Sequence, residues 1–437
     1  MNQVLGNVNR FMLKHSYVLI ISLLLTACQT NRIINWWRTP DGPPPPIELH
    51  ILGWQESTEG TRRLQQLVNA YASTNPSIKI QIELVSDYEQ ALRAVLTANG
   101  PGGSTPDIVL LDSFTFPNLV VNNSLRALPQ TEPASTFAGL IDDFPPALLD
   151  AFSVNDILYC LPRDFSTLAL VYNKRLFDLA EQPYPSANWT WEELQNASDA
   201  LANMKYPFYT VYGIVIGNDF SRWLPFLYQN GGRVFAEDHS RMTLDTPEAQ
   251  DALDFYLDLV LEGSAAPFTE FRSSWGGEAF GQERVGMVIE GNWIQPYLDQ
   301  EFPDLDYGVV PLPAGPKGRA TLAFSSCYAV TQRSEHPVEA FELTDYLTSQ
   351  EGIWIWAQGR HVMPPRFSLQ DEWLAQNSTL EPFLFGVAHA HPWRFPPDFQ
   401  RVIDAFNSSV NQVFDAEISS EEVLRVVQVI GNDAIEN

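Results

Sequence analysis

Flat rings interspersed with fixed carboxylates are the residues of this chain with the clearest chemical use. Trp54, Asp112, Asp164, Trp223, Trp275, Trp293, Tyr328 and Arg360 combine ring faces with acceptors and donors. That set suits a guest with an apolar C–H face and a rim of hydroxyls. Each competes with an ordinary role as a core ring or a solvated charge. Reaction chemistry is harder to assemble. No G-x-S-x-G elbow stands out, and no cysteine has a plausible histidine partner. His389 and His391 would point apart on a helix, and H-E-x-x-H is absent, so no metal site is expected. The 53 acidic residues could in principle supply a glycosidase pair, but carboxylate separation is not readable from sequence. Gly100 to Thr105, GPGGST, lacks both the lysine and the preceding strand of a phosphate loop and reads as a surface loop.

The elements that must carry these residues alternate. Ile47, Leu49 and Ile51 mark a strand ending at Trp54, and Leu64, Leu67, Val68 and Tyr71 mark a helix stopped by Asn75 and Pro76. Ile78 to Leu84 is a second strand, Tyr88 to Leu96 a second helix, and Ile108 to Leu111 a strand of buried type. Strands alternating with helices mean a mostly parallel sheet with crossovers, whose ligands meet the carboxyl ends of strands. Trp54 and Asp112 sit at such ends. Further on, Thr190 and Glu193 have capping-box spacing, so a helix begins at Trp191. Ser221 is expected to cap the segment that holds Trp223, and Thr246 with Pro247 opens a helix closed by Gly263. Val285 to Ile289 is a strand ending at Gly291, and Trp293 stands at the helix start that follows, well placed to face a crevice. Tyr307 to Val310 and Ser325 to Val330 read as strands, and Pro337 to Ser349, Asp398 to Phe414 and Glu421 to Ile430 as helices.

Met287, Gly291 and Trp293, followed by Pro311, Leu312, Pro313 and Gly315, resemble the A-M-x-x-x-G-x-W and P-L-P-x-G marks of the family 1 extracellular solute-binding proteins. These are the sugar-capturing subunits of bacterial ATP-driven importers. Leu161 to Lys174 resembles their L-P-x-D…Y-N-K crossing, Asn188 to Leu194 their W-T-W-E-E-L segment, and Gly359 to Arg366 their G-x-x-P-x-R loop. The resemblance implies a two-lobed, periplasmic-binding-protein-like α/β fold of type II. Each lobe would be a mostly parallel sheet flanked by helices, and a hinge would join them. Residues 47–160 plus 327–375 would form lobe 1, and 161–326 plus 376–437 lobe 2. It also implies carbohydrate capture without chemistry, permease subunits as partners, a monomer, and no cofactor. Trp293 is then the ring expected to stack on sugar, whereas the indoles of Asn188 to Leu194 are expected to be structural. Two departures stand out: Ser325, Ser326 and Cys327 replace the usual glycine-rich approach, and Arg163 adjoins Asp164 where smaller or aromatic residues are common. A cationic solute such as a polyamine, or a lipid-anchored hydrolase, are the competing readings.

Residues 1–27 read as an export signal, with Arg10 and Lys14 ahead of an apolar run too short to span a bilayer. Leu25, Thr26, Ala27 and Cys28 resemble a lipobox, which would lipidate Cys28 and anchor the chain outside the cell membrane. Residues 28–46 would then be a semi-rigid spacer containing Trp36, Trp37 and the run Pro43 to Pro46. A net charge of −27 disfavours nucleic acid. Only three cysteines occur, so neither a disulfide framework nor a zinc spacing is present. Cys160 and Cys327 fall in segments that resemble adjacent hinge crossings. The alternatives are a bond that stiffens the hinge and two buried thiols, and the thiols are the expectation.

Overall fold

The computed structural model describes residues 45–97, 105–129, 141–205, 207–238, 240–358 and 362–436. Cys28, Trp36, Trp37 and Arg360 lie outside the described residues. Glu48–Asn75 and Ile80–Asn437 make one compact unit, and the cleft and its supports belong to it.

Among the described residues ten strands share one sheet: β1 (Ile47–Trp54), β2 (Ile78–Val85), β3 (Ile108–Asp112), β4 (Pro162–Asn173), β5 (Tyr212–Val215), β6 (Ala265–Ala266), β7 (Val285–Gly291), β8 (Tyr307–Pro311), β9 (Thr321–Val330) and β10 (Ala390–Pro392). Their lateral order is β2-β1-β3-β9-β4-β7-β5-β6, with β8 on β4 and β10 on β9. The wings are parallel: β1 runs with β3, and β5 with both β6 and β7. The middle is antiparallel, where β9 pairs with β3 and β4, and β4 pairs with β7. β4 is therefore shared. Its residues 162–167 bond to β9 and 168–172 to β7.

That sharing explains the unbroken apolar run of β4. Leu168, Leu170 and Tyr172 enter one buried cluster, while Ala169 and Val171 enter the cluster on the opposite face. A strand covered on both sides has no polar face to show. A third cluster, including Leu52, Leu111, Phe116 and Phe152, packs the β1–β3 wing.

The flanking helices begin where the caps place them. They include α1 (Thr58–Thr74), α2 (Tyr88–Thr97), α3 (Trp191–Ala202), α4 (Phe220–Gln229), α5 (Pro247–Leu261), α6 (Ile294–Glu301), α7 (Pro337–Thr348), α8 (Gln350–Ala357), α9 (Gln400–Phe414) and α10 (Ser420–Glu436). At the start of α3 the Thr190 N–H donates to Glu193 Oε2 at 2.6 Å, completing the capping box. Trp189 and Trp191 are buried, the latter stacked on Phe255 at 4.4 Å. α4 corrects one expectation: its cap is Asp219, not Ser221, and the Asp219 carboxylate accepts the Ser221 N–H at 2.8 Å. Among the described residues no helix is long and apolar enough to cross a membrane.

Cys160 and Cys327 form a disulfide, which overturns the expectation of two free thiols. Cys327 pairs with Pro162 in the β9–β4 ladder, so Cys160, two residues before that proline, comes within 5.9 Å Cα to Cα. This lies in the span a disulfide can bridge. The bond ties chain positions 167 residues apart at the place where β4 and β9 cross the sheet.

Candidate functional site

A solvent-open cleft of about 610 Å³ lies at the carboxyl ends of β1 and β3, where Trp54 and Asp112 reach it together with Asp164, Trp293, Phe324 and Ser326. Its volume falls in the range of about 300–1,000 Å³ found for small-molecule sites.

One side is built on an irregularity. Consecutive strand residues normally face opposite ways, yet Arg163 and Asp164 meet, with Nη2 2.9 Å from Oδ2. The β9–β4 register explains this. Ser326 pairs with Asp164 and Cys327 with Pro162, leaving Arg163 as the extra residue of a bulge. The re-aimed guanidinium is only 4% exposed. Its Nη1 lies 3.0 Å from Glu56 Oε1 and 3.4 Å from the Tyr328 hydroxyl, and its Nε donates to Ser326 Oγ at 3.1 Å. The Trp356 ring lies 4.1 Å from its carbon, and Trp54 lies 5.6 Å away. Burial alone would lower the Arg163 pKa, but Asp164, Tyr328 and Glu56 outweigh it and raise the pKa above its ordinary value. Asp164 is held as firmly: Oδ2 accepts from Trp356 Nε1 at 3.0 Å, and Oδ1 from Ser326 Oγ at 2.5 Å.

The other side is built on the end of β7. Glu290 is buried, and its Oε2 accepts from Arg222 Nη2 at 2.6 Å and from the Trp293 indole at 3.0 Å. Arg222 also donates to the Ile289 carbonyl at 3.0 Å and lies 5.8 Å from the Trp293 ring. Burial pushes the Glu290 carboxyl up, and Arg222 pulls it only part of the way back. Trp293 keeps 37% of its surface exposed while its edge is fixed against Phe324 at 5.5 Å. Gly291 is required here, because a Cβ at that position would stand 2.2 Å from the Trp293 ring.

Trp54, Trp293, Asp112 and Asp164 thus share one cleft beside the central strands that join the wings of the sheet. Residues 55–353 match the family model described as bacterial extracellular solute-binding protein. The chain belongs to that family. A relative of this solute-binding protein from Brucella abortus (strain 2308) is 24% identical over 369 residues, covering 83% of this chain and 87% of the relative. The arabinooligosaccharide-binding protein of Halalkalibacterium halodurans is 24% identical over 286 residues, 62% of this chain and 61% of that one. Among solved structures, the cyclic alpha-maltosyl-1,6-maltose binding protein from Arthrobacter globiformis superposes with a TM-score of 0.77 at 20% identity, covering 90% of this chain and 100% of that one. The fold is thus the α/β type II periplasmic-binding-protein fold.

Of the residues expected at the site of this solute-binding protein, the structure brings Trp54, Asp112, Asp164 and Trp293 to the cleft. Tyr328 lies one layer below, 2% exposed, with Arg163 above it. Trp223 is instead a core ring, fully buried and stacked on Phe406 of α9 at 4.9 Å. Eight of the ten residues of α4 are buried, and a helix covered nearly all round keeps Trp223 in the core. Trp275 is half-buried against Tyr297 at 4.9 Å, folded over Gly277, and does not line the cleft. Arg360 lies outside the described residues.

Most of the lining residues are not among the expected site residues, Arg163, Phe324 and Asn292 with them. Phe324 lies two residues before Ser326 and shares its strand face, and Asn292 precedes Trp293. The alternation of β9 carried a signal for Phe324, but the choice between cleft and core was not in it.

Proposed function

We propose that this protein is the extracytoplasmic receptor of an ATP-driven importer and captures an uncharged carbohydrate, which it passes on chemically unaltered. In this reading residues 47–160 plus 327–375 and residues 161–326 plus 376–437 act as lobes that close on the guest. Closure shifts the population toward the shape that permease subunits recognise. Cys28 carries the lipid anchor, and the receptor works as a monomer.

The observation that supports this best is the presence in one cleft of Trp54, Trp293 and Asp112, the last residue of β3. Indole faces accept the C–H face of a sugar, and a carboxylate accepts hydroxyl hydrogens. The carboxylates do not favour hydrolysis. Glu59 is bound by Arg62 and Arg63, and Asp164 by Arg163, Trp356 and Ser326, so neither is poised beside Asp112 as a free acid or nucleophile.

Calorimetric titration with maltotriose, arabinotriose and spermidine tests the reading. Saturable heat with a saccharide is expected. Binding of spermidine alone, or release of reducing sugar from a glycan, would overturn it.

A further inference from the structure

We propose that Arg163 is a resident counter-ion that determines the charge class of the guest: its guanidinium fills, from within, the cage that a cationic group of a solute would otherwise occupy. The inference rests on reading the cleft as the solute site.

Consider the cage without its occupant. Glu56 and Asp164 are 8% and 16% exposed at their side chains, and both point at one spot. The rings of Trp54, Tyr328 and Trp356 surround the same spot, each within 5.6 Å of the Arg163 carbon. Two carboxylates inside a ring of aromatic faces are the chemistry that holds an ammonium or guanidinium ion. The chain supplies that ion itself, and it does so by a bulge that gives up a ladder position to turn Arg163 inward. A guanidinium stays charged at any working pH, so the cage stays filled. The bulge lies beside the Cys160–Cys327 bond, since Cys327 stands opposite Pro162.

What remains for a guest is of another kind. Asp112 accepts one hydrogen bond, from the Thr115 N–H at 2.6 Å, and otherwise faces the cleft with the Trp54 and Trp293 rings. A hydroxyl-rich guest can use that acceptor in the same cleft as the two rings. A polycation would have to evict a side chain that several partners hold.

The test is calorimetry with spermidine and with methylguanidinium on wild type, Arg163→Ala and Arg163→Ala/Asp164→Asn, each first shown to melt cooperatively. Wild type is expected to bind neither cation saturably. Arg163→Ala should bind methylguanidinium at least about tenfold more tightly than wild type, as expected for a desolvated charge pair, and the added Asp164→Asn should remove most of that gain. Should Arg163→Ala fail to fold alone, its melting is followed in added methylguanidinium chloride against equal sodium chloride: a cooperative transition restored by methylguanidinium only supports the proposal, and no restoration overturns it. Cation binding by wild type as tight as by the variant, or a folded variant that binds neither cation, overturns the proposal. A saccharide panel run alongside separates the two readings. Gain of cation affinity with no sugar bound by wild type refutes the carbohydrate reading alone. Sugar binding without that gain refutes the counter-ion alone.

Discussion

Two arginines support the cleft, Arg163 buried and Arg222 partly exposed, each tied to carboxylates and each facing an indole, yet they are assembled differently. Arg222, Asp219, Glu290 and Trp293 come from α4 and the end of β7, within one wing of the sheet. Arg163 instead gathers Glu56 from the loop after β1, Ser326 and Tyr328 from β9, and Trp356 from α8. The Arg222 knot therefore forms once a single wing folds, and it serves to hold one exposed ring. The Arg163 knot forms only where strands from both wings cross. It is sensitive to register, and a disulfide sits beside it.

The largest expected effect breaks the crossing knot. Arg163→Ala leaves Glu56 and Asp164 facing each other without a cation, and urea denaturation should show a loss of about 3–5 kcal/mol. Next, Cys160→Ala/Cys327→Ala should lower stability by about 2–5 kcal/mol. If the bond fixes the bulge register, hydrogen exchange should rise at 162–166 and 325–328 and stay unchanged at 286–291; an equal rise at both would dissolve the contrast. In the single-wing knot, Arg222→Ala should cost less, about 2–3 kcal/mol, because Arg222 is 18% exposed at its side chain and its loss leaves one buried carboxylate. Trp293→Ala should change stability by under about 1 kcal/mol, since the ring is 37% exposed, while abolishing most saccharide affinity in calorimetry.

The smallest effect is a pH slope. The Glu290 carboxyl sits above its ordinary value of 4.5 in the folded state because it is buried. The unfolded chain thus releases this proton first, and the contribution of Glu290 to stability falls as pH rises from 4.5 through the folded pKa. Melting wild type and Glu290→Gln across that window should show a slope difference of this sign. A difference of opposite sign would mean that Arg222 outweighs burial there.

Much of this was legible beforehand, for physical reasons that are local. Caps, prolines and apolar periods act over a few residues, so Thr190, Pro247 and the strand ending at Gly291 declared their elements. Trp293 could be placed at a crevice because a strand end and a glycine position it. What the amino-acid order determined, then, is the sequence of strands and helices and which residues stand at their ends. Only the tertiary structure decided that Trp223 turns into the core, that Trp275 packs against Tyr297 instead of lining the cleft, that Cys160 meets Cys327, and that Arg163 is the odd residue of a bulge. Periodicity fixes which face a side chain takes, whereas a neighbour 160 residues away is fixed by strand register, and a register shift of one residue reverses the face.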